Sequence, residues 1–164
     1  MSERAFELAQ VNIALAREPL DSPLLADFFA ALPEINALAD ASPGFVWRLV
    51  GDGGDATGIR AFGDDRIIVN MSTWASIEAL ADYVFRSAHA GVMRERRKWF
   101  TAMKESYVAL WWVPAGHRPT PREAEQRLEH LRTHGPTAFA FTFKQPFPPP
   151  GASVKPEPRN DACP

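Results

Sequence analysis

The chain has a single cysteine, Cys163, next to last in the sequence. One thiol excludes an intrachain disulfide framework and a Cys-based metal site. A positive surplus is also missing. The 18 Lys and Arg stand against 20 Asp and Glu, a formal charge of −2, whereas nucleic-acid binders normally carry a strong basic excess. The basic cluster Arg94, Arg96, Arg97 and Lys98 is diluted by Glu95 and Glu105, so it reads as a solvated helix face. No apolar run approaches the ~20 residues that span a bilayer. Met1-Ser2-Glu3-Arg4 lacks the basic-then-apolar pattern of a secretion signal. These absences predict a cytoplasmic protein with no nucleic-acid and no membrane partner.

What is present is an ordinary globular composition, 46% apolar and 23% charged over 164 residues, enough for one domain with a real core. The domain is expected over 1–144. From Gln145 the chain is rich in proline (Pro146, Pro148, Pro149, Pro150, Pro156, Pro158), so 145–164 is expected to be a disordered tail, extended at its start.

The apolar periodicity predicts a strand over 5–14. A helix follows from a Ser22 or Asp21 cap and Pro23, through Leu25, Phe28, Phe29, Leu32 and Leu38, with a break or kink expected at Pro33. Strands are expected over 45–50 and 66–74. The connection between them carries Gly51, Gly53, Gly54, Gly58 and Gly63. A phosphate cradle would run from a strand into a helix. This connection joins two strands, so it reads as a flexible loop. A second helix, capped at Thr73 or Ser76, is expected to run through Leu80, Phe85 and Val92 to Trp99. A fourth strand is expected over 107–113. The order βαββαβ is the split ferredoxin-like arrangement of the α+β class. An extension adds a helix with the capping signature Thr120-Pro121-Arg122-Glu123 and a short strand over 138–143, where aromatics alternate with small residues.

Two helices cover one face of a four-stranded sheet, and these strands carry large apolar groups on both faces. The second face is therefore expected to pair with another copy, giving a homodimer.

Polar residues inside apolar strands mark the candidate site. Asn70, Ser72 and Trp74 share one strand face, and Gln10 and Asn12 share another. Asparagine is depleted in strands, so Asn12 and Asn70 stand out. His89 borders the apolar stripe of the second helix. If that helix packs on the Asn70 face, an amide, an indole and an imidazole surround one pocket. Asn70, Trp74 and His89 are the expected catalytic residues, with Asn12, Trp47, Ser72, Phe85 and Trp112 as the substrate-binding wall. The plainer readings are a buried histidine held by a carbonyl, asparagines at sheet edges and tryptophans filling the core, the last favoured for Trp99 and Trp111. His117 and Arg118 read as turn chemistry.

Several segments together resemble the uncharacterised bacterial family DUF3291: Ala37-Leu38-Ala39-Asp40-Ala41-Ser42-Pro43-Gly44-Phe45-Val46-Trp47-Arg48, Phe62-Gly63-Asp64-Asp65, Arg86-Ser87-Ala88-His89, Arg96-Arg97-Lys98-Trp99-Phe100 and Trp111 to Thr120. The resemblance spans about residues 6–143 and implies a dimeric α/β barrel. A shorter stretch, Asn70-Met71-Ser72-Thr73-Trp74 with Ser76-Ile77-Glu78-Ala79-Leu80, is similar to the antibiotic-biosynthesis monooxygenase group. There an Asn-x-x-x-Trp strand lines the cavity of cofactor-independent oxygenases acting on polycyclic aromatics. Related haem-degrading enzymes use an Asn, a Trp and a helix His, parts that Asn12, Trp74 and His89 would take here.

The expected function is monooxygenase-type chemistry on an aromatic or polycyclic small molecule, with no cofactor. The alternatives are a haem-binding protein with His89 as ligand, and a non-catalytic small-ligand-binding module.

Overall fold

The computed structural model describes residues 5–50, 63–86, 91 and 94–151. Strand β1 (Phe6–Ala16) leads through a 3₁₀ turn (Pro23–Leu25) into α1 (Ala26–Asp40). After these come β2 (Phe45–Arg48), β3 (Ile67–Trp74), α2 (Ile77–Arg86), the short α3 (Arg96–Trp99), β4 (Phe100–Thr101), β5 (Val108–Pro114) and α4 (Pro121–His134). The sheet is antiparallel. β1 pairs with β3 on one side, and with β5 and the two-residue β4 on the other; β2 flanks β3. Setting aside the short α3 and β4 and the C-terminal α4 leaves the split βαββαβ order, so the chain is an α+β ferredoxin-like fold.

Local chemistry explains where the elements begin and turn. Ser22 Oγ accepts from Leu24 N at 3.3 Å and Ser76 Oγ from Ala79 N at 3.1 Å, each satisfying an orphan donor at a helix start. Thr120 Oγ1 accepts from Glu123 N at 3.1 Å, with Pro121 at the first helical position. Pro33 lies inside α1 without ending it. Gly44 is required twice over at the α1–β2 turn. Its φ is +82°, and a Cβ there would stand 2.5 Å from the Ala79 Cβ of α2.

The register sorts the strands into two faces. One carries Leu8, Gln10, Asn12 and Ala14 of β1, opposite Trp74, Ser72, Asn70 and Ile68 of β3. A bulge in β2 places Phe45 and Arg48 on this face and Trp47 on the other. α1 and α2 cover this first face: Leu25, Phe28 and Phe29 pack at the Ala14–Ala16–Ile68 end, and Ile77, Leu80, Tyr83 and Val84 at the Leu8–Trp74 end.

The second face differs from expectation. Ala9, Val11, Ile13, Val69, Met71 and Trp111 are buried within the single chain, in one cluster with Ala124, Leu128 and Leu131 of α4. The C-terminal helix folds back over the sheet and supplies the cover that the sequence reading assigned to a partner copy. An open apolar face therefore gives no reason for dimerisation here.

Two further expectations are corrected. The second helix does not run unbroken to Trp99, because a turn at Glu95 precedes α3. The segment 138–143 is not a strand. Only Phe141 bridges Leu110, by a reciprocal pair of 2.9 and 2.8 Å. The Thr137 hydroxyl instead accepts from Phe139 N and Ala140 N, turning the chain. At the start of the Pro-rich region, the Phe147 carbonyl accepts from Trp112 Nε1 at 2.8 Å, so the chain stays on the domain to that point. His89, the glycines 51–58 and Cys163 lie outside the described residues. No helix among the described residues is long and apolar enough to cross a membrane.

Candidate functional site

On the helix-covered face, successive rows across β2, β3, β1 and β5 alternate in character. The first row is apolar and aromatic: Phe45, Trp74, Leu8 and Trp112. The next two form a polar belt, with Arg48, Ser72 and Gln10 in one row and Asn70 directly opposite Asn12 in the other. Beyond it the face becomes apolar again at Ile68 and Ala14. Four polar residues of the belt come from the two central strands, where buried amides and hydroxyls are costly unless paired.

They are paired. Gln10 Nε2 donates to Asn70 Oδ1 and to Ser72 Oγ, each at 2.8 Å, and Trp74 Nε1 donates to the same Ser72 Oγ at 2.8 Å. Gln10 and Ser72 are buried, Asn12 is half-buried and Asn70 is exposed. The belt is thus held rigidly from beneath while Asn70 stays within reach of solvent. At its β2 end, Arg48 Nε and Nη2 donate to Asp40 Oδ1 and Oδ2 of α1, at 2.8 and 3.4 Å.

Trp74 is fully buried. Tyr83 of α2 stacks on it, with ring centroids 5.2 Å apart, and Phe45 meets it edge-on at 5.4 Å. Its indole face is therefore not open to a guest. It acts on the belt through its N–H, which fixes Ser72. Tyr83 donates its hydroxyl to the Ile35 carbonyl at 3.3 Å. Burial, with the Asp40 carboxylate nearby, pushes the Tyr83 phenol up to about 12, against a weaker opposing effect of Arg48. Tyr83 is therefore neutral at physiological pH.

The structure brings together Asn70, Ser72, Asn12 and, through its N–H, Trp74. It separates the others. Trp47 lies on the opposite face, paired with Thr73, with the Arg118 guanidinium 5.9 Å from its ring. The bulge after Phe45 reverses its side and removes it from the expected wall. Phe85 points outward on α2, 62% exposed, and rests edge-on against Phe143 at 5.3 Å. Trp112 is on the correct face but sits under Phe141 and Phe147, with its N–H committed to Phe147. His89, the expected proton carrier and haem ligand, lies outside the described residues.

Sequence reasoning overlooked Gln10 as the organiser of the belt, and also Arg48, Asp40 and Tyr83. The signal for Gln10 was its two-residue spacing from Asn12 in an apolar strand. Nothing local marked Arg48, because its face is set by the bulge. The basic cluster is largely the solvated surface expected, except Arg96. Its guanidinium lies 4.5 Å from the Tyr107 ring and donates to the Ile13 carbonyl at 3.2 Å. Burial lowers its pKa from the usual arginine value.

A groove of about 470 Å³ runs on the opposite face beside α4, between Ile13, Ile67, Met103, Leu128 and Arg132. None of the expected site residues lines it. The belt is the better candidate, because its polar groups are fixed by mutual hydrogen bonds around an accessible amide. Among the described residues no cluster of three or more His, Cys, Asp or Glu could hold a metal ion.

Similar folds occur among solved structures. SnoaB, a cofactor-independent oxygenase from Streptomyces nogalater, is 19% identical over 71% of this chain and 97% of its own, with a TM-score of 0.46. The protein NE2512 of unknown function from Nitrosomonas europaea is 18% identical over 73% and 98%, with a TM-score of 0.45. PA3566 from Pseudomonas aeruginosa is 13% identical over 73% and 100%, with a TM-score of 0.43. At these values nothing about activity is transferred. No protein of curated function matches the chain. The family does match, over residues 7–157, nearly the whole chain: this protein belongs to the family described as Domain of unknown function (DUF3291).

Proposed function

We propose that the chain is a small-molecule enzyme of the antibiotic-biosynthesis-monooxygenase type, oxygenating an aromatic or polycyclic carbon acid without a bound cofactor. The observation that supports this reading is the direction of the hydrogen bonds in the belt. Asn70 Oδ1 is occupied by Gln10, which leaves Asn70 Nδ2 as a pure donor. Ser72 Oγ accepts twice, from Gln10 and Trp74, so its own O–H is left to donate. A wall of fixed donors is complementary to an oxygen that gains negative charge. Such preorganised donors stabilise an enolate or phenolate without reorganising during the reaction.

The substrate oxygen would sit on Asn70 Nδ2 as the adjacent carbon loses a proton. The role of proton acceptor is assigned to His89 on its sequence position. The electron-rich enolate then reduces dioxygen: one oxygen atom replaces the two hydrogens on carbon as a carbonyl, and the other leaves with them as water. Asn12, opposite Asn70, is placed to meet the same guest, while Trp74 positions Ser72.

Dioxygen uptake with a panel of polycyclic ketones and phenols tests the proposal. Asn70→Ala should lower kcat by about 10²–10³, the usual cost of losing one oxyanion donor, with an unchanged circular dichroism spectrum. Full turnover in both Asn70→Ala and His89→Ala would sink it. Tight binding of panel members with no turnover by the native protein would favour a ligand-binding module instead.

A further inference from the structure

Four buried side-chain polar atoms among the described residues have no hydrogen-bond partner: Glu7 Oε2, Thr73 Oγ1, Trp111 Nε1 and Arg132 Nη2. The first three belong to one patch, on the face opposite the belt. Thr73 of β3 and Trp111 of β5 are the two register partners of Ala9. The row across the sheet therefore reads Trp47, Thr73, Ala9, Trp111. Glu7 precedes Ala9 by two residues, so it lies on the same face one pleat along. Its Oε1 is fixed by the Gly116 N–H at 3.0 Å, which leaves Oε2 as the orphan. Glu7 is 6% exposed, and Thr73 and Trp111 are 0% exposed. Ala9 and Trp111 pack in one cluster with Ala124, Leu128 and Leu131 of α4, and the side chains of Ala9 and Ala124 are single methyl groups.

Thr73 and Trp111 flank Ala9, the smallest side chain of the row, each about 5 Å from it between Cβ atoms. An unpaired buried polar atom is costly, because it loses its bonds to water and gains none, and more than about 90% of such groups in folded proteins are paired. Three on adjacent positions of three strands is a concentration, and it has a definite chemistry. The Trp111 indole only donates, the Glu7 carboxylate only accepts, and the Thr73 hydroxyl does either. A guest that satisfies all three must accept from Trp111 and donate to Glu7. A hydroxyl group does both, whereas an apolar or purely anionic group does not.

We propose that Glu7, Thr73 and Trp111 form a second binding site, buried on the face opposite the belt, that takes a small hydroxylic guest. Ordered water and the hydroxyl of a small neutral ligand share this chemistry, and their sources are separable by experiment.

A crystal structure of the protein as purified, at about 1.5 Å or better, should show density at about 2.7–3.2 Å from Trp111 Nε1 and Glu7 Oε2. Isolated single-atom peaks, with a native mass equal to the chain alone, identify the guest as water. Extended density with added mass identifies a ligand. No density, or all three atoms bonded to protein groups, overturns the proposal. Thermal melting of Thr73→Val gives an independent reading. If the hydroxyl anchors a guest, its loss should lower Tm by about 2–4 °C. If the hydroxyl is a dry orphan, the same change removes an unpaired polar atom and raises Tm, which also overturns the proposal.

Discussion

Gln10 is the residue on which the candidate site depends. Its side-chain amide bonds both Asn70 and Ser72 from beneath, so the polarity of the belt follows from which end of that amide faces them. With Nε2 donating, the Asn70 oxygen is consumed and the wall presents donors. Gln10→Glu tests this directly. A carboxylate cannot donate, and it would face two acceptor oxygens in a buried position. Turnover should fall about 10- to 100-fold, matching the roughly 1–3 kcal/mol cost of unmaking buried hydrogen bonds. If Gln10 instead accepted through its carbonyl oxygen, the glutamate would do the same job and activity would survive, reversing the inferred polarity. At this scale the sequence was partly legible. Alternation placed Asn70, Ser72 and Trp74 on one face because the strand period is two. It also gave Trp74 a face open to a guest, which the stack of Tyr83 removes. That contact comes from a helix nine residues on, and strand spacing carries no information about it.

Elements were legible where one local signal decided them. The Thr120-Pro121-Arg122-Glu123 cap starts α4 where expected, since a cap is a contact within four residues. The alternation over 138–143 was misread because aromatic spacing has more than one solution. Phe139 lies against Arg127 at 3.8 Å, Phe141 is buried beside Leu110, and Phe143 meets Phe85. Each ring thus finds a separate partner without a ladder. The α1–β2 turn shows the opposite case, a single residue on which two elements depend. Ala75 N donates to the Gly44 carbonyl at 2.7 Å, which holds the start of α2 against the turn. Gly44→Ala would add both left-handed backbone strain and a Cβ inside the Ala79 methyl. The expected loss is about 2–4 kcal/mol, read from urea unfolding. An unchanged midpoint would show that α2 can shift away at no cost.

For the whole molecule, the inference that failed was one of cover. The apolar second face was read correctly from the strands, but its partner was sought in another copy. α4 was recognised as a helix, yet its apolar stripe of Ala124, Leu128 and Leu131 was not matched to the face that needed it. Periodicity shows which side of an element is apolar and not what it meets. With α4 in place, Val69 and Met71 are each 1% exposed in the single chain, and folding does not require a second copy on this face. A fold completed by dimerisation gains stability with protein concentration, because association is linked to folding. A face closed within the chain does not. Thermal melting over a hundredfold range of concentration should therefore give one Tm. A Tm that climbs with concentration would mean that a partner copy completes the core after all. Leu128→Asp sharpens the comparison: it places a charge under α4 and should unfold the chain at every concentration rather than dissociate a folded pair.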